Sequence, residues 1–297
     1  TLSADKIPLI GIGGAFAFIL MMFNLPIPDG TTAHAVGGTL IALLLGPYAA
    51  CIAISVALFI QAIIFGDGGI LSFGANCFNI AFILPFTGFF IYKILNKIHL
   101  TPFYHKCTIF LSAYISINLA AFFTALELGI QPLLFVDNLG QPLYCPYPLW
   151  ISIPAMALSH LTIAGIAEGL FTLSLYLFIL KTSPNIIYDC QQIKLNSIFS
   201  LLAFLIIISP LGLIAEGTAW GEWAPEEILN DTSSGVHLGF IPEKLLNGFN
   251  YEAFFPDYTM SGTTDILAYI ASAIIGVALL IIFKMLGNII YAKKQSL

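Results

Sequence analysis

From Ile7 to Tyr92 the chain carries two charged side chains, Asp29 and Asp67, over a length that could cross a bilayer several times. A membrane-spanning helix takes about 20 apolar residues, because each backbone amide and carbonyl within hydrocarbon must be satisfied inside its own segment. Apolar runs bounded by turn or charge signals continue to the C-terminus. They fall at 7–24, 34–46, 48–65, 73–92, 107–128, 150–180, 196–214 and 264–288, which predicts eight helices. The stretch from His34 to Phe65 is too long for one crossing, and Gly46-Pro47 in its middle stops one helix and starts another. The expected fold class is all-α, a polytopic transmembrane helical bundle. Charged residues make up 9% of the chain, against roughly 25% in soluble proteins, which leaves no room for a large soluble catalytic domain.

The lysines orient this trace, because cytoplasmic loops are enriched in basic residues. Lys6, Lys93, Lys97, Lys106, Lys181, Lys194, Lys284, Lys293 and Lys294 fall on one side of the predicted path, and Lys244 alone falls on the other. Both termini are therefore expected in the cytoplasm, and 25–33, 66–72, 129–149 and 215–263 are expected outside it. All 10 basic residues are lysines against 16 acids, so no basic cluster offers a nucleic-acid surface. The five cysteines, Cys51, Cys77, Cys107, Cys145 and Cys190, show no paired spacing and read as packing residues. The last outer loop holds half of the acids: Glu216, Glu222, Glu226, Glu227, Asp231, Glu243, Glu252 and Asp257. It reads either as a solvated loop with Trp220 and Trp223 at the membrane interface, or as an external module that attracts cations by its field.

Catalytic signatures are missing: no HExxH, no GxSxG, and no Gly-Lys pair from which a phosphate-binding P-loop could be built. What remains is a set of polar residues at the outer ends of apolar helices, where an unpartnered polar group is costly. The densest set is Thr31-Thr32-Ala33-His34, Gln61, Asp67-Gly68-Gly69, Asn76 and Asn79. Thr31 or Thr32 is expected to cap a helix beginning near His34, whose positive end would keep the imidazole neutral and able to bind Ni, Co, Cu or Zn. A structural hydrogen bond is the alternative role for His34, an interhelical contact for Asn76 and Asn79, and a plain turn for Asp67-Gly68-Gly69. His160 and Glu168 lie eight residues apart within one predicted helix, roughly 12 Å along its axis, too far to bind each other directly. Packing and a direct part in transport are both open to them. No internal repeat is evident, so the inverted halves of many secondary transporters are not seen.

With those residues in view, the chain resembles the CbiM/NikM family, the nickel- and cobalt-specific substrate-binding components of energy-coupling-factor ABC importers. The resemblance is carried by Ile7-Pro8-Leu9, by Met22 to His34 with its Pro26-Ile27-Pro28-Asp29-Gly30-Thr31-Thr32-Ala33-His34 run, and by Gly37-Gly38 and Leu45-Gly46-Pro47-Tyr48. It continues through Gln61-Ala62, Phe65 to Gly69, Gly74 to Asn79, and the stretch from His160 to Glu168. Pro210-Leu211-Gly212, Gly217 to Trp223 and Pro256-Asp257-Tyr258 look like a fused two-helix accessory N component. The implied division is 1–181 as membrane core and 182–297 as the N-component-like region, with its acidic loop at 216–262.

The resemblance implies a high-affinity capture and translocation subunit with no permanent cofactor, carrying Ni(II) or Co(II) as substrate in a nearly planar four-nitrogen site. His34 matches the family's ligand in the Gly/Thr-rich turn. The remaining ligands come from a Met-His-Ile start, which is expected upstream of Thr1. Gln61, Asp67, Asn76 and Asn79 would hold the ligands by hydrogen bonds, and His160 and Glu168 would be accessory. Implied partners are a transmembrane coupling (T/Q) subunit, cytoplasmic ATPase subunits that hydrolyse ATP, and a small accessory membrane subunit. Two other readings of the residues stand beside this one: a proton-coupled secondary cation transporter using His160 and Glu168, and an electron-transfer protein holding non-covalent haem between His34 and His160. The acid-rich loop is expected to assist metal loading without forming the primary site.

Overall fold

The structure, a computed structural model, describes residues 7–28, 31–98, 101–183, 195–230 and 238–295. Lys6, Asp29, Gly30, Cys190, Lys194, Asp231 and His237 lie outside the described residues. Eight principal helices follow the predicted order. They are α1 (Ile7–Met21), α2 (Gly38–Leu45), α3 (Pro47–Phe65), α4 (Phe73–Leu95), α5 (Pro102–Leu134), α6 (Leu149–Thr182), α7 (Leu195–Ile208) and α8 (Asp265–Gln295). A 3₁₀ segment, Ser209–Ile214, extends α7, and six of these elements are long and apolar enough to cross a membrane. The protein is a multi-pass, all-α membrane protein.

Helix boundaries follow local chemistry. Pro47 opens α3 directly after Gly46, where an amide hydrogen would have no partner in any case. Pro102 opens α5, and the Thr101 hydroxyl accepts from the Tyr104 amide at 3.1 Å. π turns interrupt α4 at Cys77–Ile83 and α6 at His160–Ala164, and another, Gln61–Phe65, ends α3 before Gly66. Among the expected site residues, Gln61, Asn79 and His160 lie within these turns, and Asn76 directly precedes one.

The main core is built where α1 packs between α3 and α8, around Phe16, Phe18, Ile19, Ala53, Ile54 and Leu280. The loops after α1, α3, α5 and α7 gather at one end of the bundle. The Thr32 amide donates to Thr218 O, Asp67 bonds Tyr258, the Lys244 amide donates to Leu143 O, and Tyr147 packs on Trp220. The helix ends carrying Lys93, Lys106 and Lys181 lie at the other end.

The structure differs from expectation just before α2. Thr31 and Thr32 cap no helix, because Thr31–His34 is a β-strand paired antiparallel with Asn24–Ile27, with Asn24 opposite His34. The Thr31 hydroxyl instead donates to Thr218 O at 3.1 Å, and α2 begins only at Gly38 after a left-handed Gly37 with φ 71°. Residues able to extend pair as antiparallel strands here, and the pairing satisfies the backbone that a cap would otherwise serve.

Candidate metal cavity

The strand pair lifts His34 to the rim of a cavity of about 110 Å³ between the helices and the loop after α7. Asn76 from α4, His160 from α6, and Trp220 and Glu222 from the loop share this cavity with Thr32 and His34.

Both imidazoles are held alike. The His34 Nδ1 faces the carbonyl of Ala35 at 3.3 Å, and the His160 Nδ1 faces the carbonyl of Met156 at 2.9 Å, with the Ser159 hydroxyl at 3.0 Å. A carbonyl can only accept, so in each neutral ring Nδ1 carries the proton and Nε2 keeps its lone pair. Metal-binding histidines commonly use this arrangement, in which the bonded nitrogen fixes the ring and the other meets the ion. Burial holds the His34 imidazole below its ordinary pKa, against the opposing pull of the Asp67 charge, so the ring stays neutral near pH 7. Enclosure, not a helix end, thus accounts for its neutrality.

The positive end of α2 is taken up by a different group. Glu168, 0% exposed, accepts from the amides of Val36 at 2.7 Å and Gly37 at 2.9 Å through Oε2. Those residues lie two and three positions after His34, so Glu168 anchors the loop that carries the imidazole. The other expected residues also have specific partners. Gln61 Nε2 donates to Asp67 at 2.9 Å and to the Tyr258 hydroxyl at 3.0 Å, and that hydroxyl donates to Asp67. Asn76 Nδ2 donates to Gly68 O at 3.0 Å, so the Asp67-Gly68-Gly69 segment is a bonded wall element as well as a turn. Asn79 turns away from this network and donates to Glu127 of α5 at 2.7 Å, an interhelical contact.

The loop after α7 closes the cavity from outside. Trp220 is 7% exposed and packs against Tyr147 and Trp223. Glu222 keeps accessible surface because it borders the cavity, yet the protein around it displaces bulk water. That enclosure, with the negative charges of Asp67 and Asp257, pushes its carboxyl up to about 8. Among the described residues, no hydrogen bond or ion pair relieves this carboxylate. Ala219, Trp220 and Glu222 of this loop line the cavity. Among the described residues, no three His, Cys, Asp or Glu side chains converge tightly enough to hold a metal ion by themselves.

Residues 1–186 match the CbiM family, whose description is the cobalt uptake substrate-specific transmembrane region. The chain belongs to the CbiM family. Residues 195–293 match the PDGLE domain, the part that contributes Trp220 and Glu222 to the cavity. This CbiM-family chain is 44% identical over 279 residues to a probable fused nickel transport protein, LarMN, of Lactiplantibacillus plantarum, covering 94% of this chain and 84% of that protein. It is 41% identical over 296 residues to the fused nickel transport protein NikMN of Rhodobacter capsulatus, covering 94% and 85%. The crystal structure of a truncated transition metal transporter superposes with a TM-score of 0.57 at 51% identity, over 61% of this chain and 83% of that one.

Glu222 and Tyr258 received no site role from the sequence, which named Glu222 as one acid of the loop and both residues within the segments that resemble the N component.

Proposed function

We propose that the protein captures Ni(II) or Co(II) as the substrate-binding subunit of an ATP-driven energy-coupling-factor importer. The single observation carrying this reading is a His34 ring fixed at Nδ1 by the Ala35 carbonyl and lining a cavity shared with the similarly held His160 imidazole and the Glu222 carboxylate. His34 supplies one nitrogen ligand. Nitrogen ligation in a planar array suits Ni(II), and borderline divalent ions of similar size follow. Asp67, Gln61 and Asn76 brace the cavity wall, while Glu222 attracts the incoming cation.

Residues 1–181 form the capture core in this reading, and 182–297 form an N-component-like region whose loop 216–262 faces the extracytoplasmic side. Both termini are cytoplasmic, as the lysines indicate. Energy comes from separate ATPase subunits, coupled through a transmembrane partner. Proton exchange between His160 and Glu168 fits the geometry less well, because Glu168 is engaged by two backbone amides.

The test is calorimetric Ni(II) and Co(II) binding to the full natural chain and to its His34→Ala variant. Loss of binding with normal membrane insertion is expected; an affinity within about threefold of wild type overturns the assignment, since a lost nitrogen ligand costs far more than the tenfold that 1.4 kcal/mol represents.

A further inference from the structure

Among the described residues, Asp257 and Tyr258 are the only non-glycine positions with positive φ, at 49° and 61°. Side-chain-bearing residues rarely adopt this region, and it persists only where surrounding contacts impose it. Here the contacts belong to the Tyr258 side chain, which is 7% exposed. Its ring stacks on Phe65 of α3 at a centroid distance of 4.8 Å and meets the edge of Tyr269 of α8 at 5.4 Å. Its hydroxyl donates to Asp67 and accepts from Gln61. A glycine would suit the backbone and lose every one of these contacts.

The hydroxyl is one end of a chain of bonds leading to the cavity. Asp67 precedes Gly68, whose carbonyl receives Asn76 Nδ2, and Asn76 lines the cavity. Asp67 also acts electrostatically on both His34 and Glu222. The Phe255 amide donates to Ile64 O at 2.9 Å, so the same turn clips the loop to the outer end of α3.

We propose that Tyr258 is a positioning residue for cation capture: its hydroxyl fixes Asp67, and through Asp67 the 66–76 wall, so that the cavity stays closed around a bound divalent cation. The inference rests on the metal-capture reading above. Freed from Tyr258, Asp67 swings with its loop, Asn76 loses its seat, and the ion escapes faster than it enters.

The test uses the full natural chain in lipid nanodiscs, loaded with Ni(II) or Co(II), with release followed after addition of a chelator. Tyr258→Phe removes only the hydroxyl and is expected to speed release by about tenfold to a hundredfold, the usual range for residues that brace a ligand. Tyr251→Phe is the control: its hydroxyl donates to Ile63 O at 3.0 Å, also joining the loop to α3, without touching Asp67. Its release should stay within about twofold of wild type, as expected where no braced ligand is disturbed. Asp67→Leu, which removes the acceptor together with its charge, should speed release at least as much as Tyr258→Phe, and adding Tyr258→Phe to it should add nothing, because the hydroxyl's acceptor is already gone. Unchanged release in Tyr258→Phe, or effects that multiply in the double variant, overturns the proposal. Should Tyr258→Phe fold poorly, Asp67→Leu carries the release readout. A wild-type chain that binds neither metal overturns instead the reading on which the proposal rests.

Discussion

The membrane-side wall of the cavity and its outer cover are built on opposite principles. In the wall, helices α3 to α6 hold Glu168, which is enclosed completely: its Oε2 accepts from the amides of Val36 and Gly37, while its Oε1 has no partner among the described residues. In the cover, the loop after α7 carries Glu222, a carboxylate beside the charges of Asp67 and Asp257 with no donor among the described residues. A carboxylate anchored by amides stabilises a fold, and one held among like charges is destabilised when ionised. Two glutamates that composition cannot distinguish thus sit in different settings: one fixes the His34 loop, and the other concentrates negative charge at the cavity.

The comparison breaks most sharply at Glu168. Glu168→Ala leaves two buried amides unpaired, each having lost a charge-assisted hydrogen bond, at a cost of about 3 kcal/mol or more. Thermal unfolding in detergent should drop and Ni(II) binding should weaken with it, because the loop behind His34 is released; a variant with wild-type stability would show that other contacts hold this loop. The junction between wall and cover comes next. Asn76→Leu should weaken metal affinity by about tenfold by freeing Gly68, whereas unchanged affinity with lowered stability would make Asn76 an interhelical contact only.

Glu222→Gln should have the smallest effect, and its signature is the pH dependence. A carboxyl raised to about 8 contributes stability below the ordinary carboxyl range, and that contribution is lost as pH rises through about 8. The metal-free protein should therefore melt at lower temperature as pH climbs through this window, and Glu222→Gln should flatten the slope. Identical slopes in the two proteins would show that Glu222 is not under electrostatic tension.

How much of this was legible in sequence depended on the background against which each residue stood. His34, Gln61, Asp67, Asn76 and His160 were visible because a polar side chain in an apolar run demands an explanation. Glu222 and Tyr258 were not, since an acid or a tyrosine in a polar loop demands none. Their meaning comes from contacts such as the Tyr258 to Asp67 bond, which joins positions 191 residues apart. The strand at Thr31–His34 was hidden for a related reason: two threonines before a histidine match a helix cap as well as a strand, and pairing with Asn24–Ile27 decides between them. Membrane helices, whose backbone bonds are all local, were legible almost to the residue in several places, as at Gly46-Pro47.

The two π turns inside helices, at Cys77–Ile83 and His160–Ala164, have a consequence for how such a chain can change over evolutionary time. A π turn holds one residue more than the surrounding helix requires, and one residue corresponds to about 100° of rotation. Deleting a single amino acid there would hardly shorten the span, but it would turn the rest of the helix to a different face. In these two places the lineage can substitute residues far more readily than it can drop one, so insertions and deletions should accumulate in the loops and spare the turns.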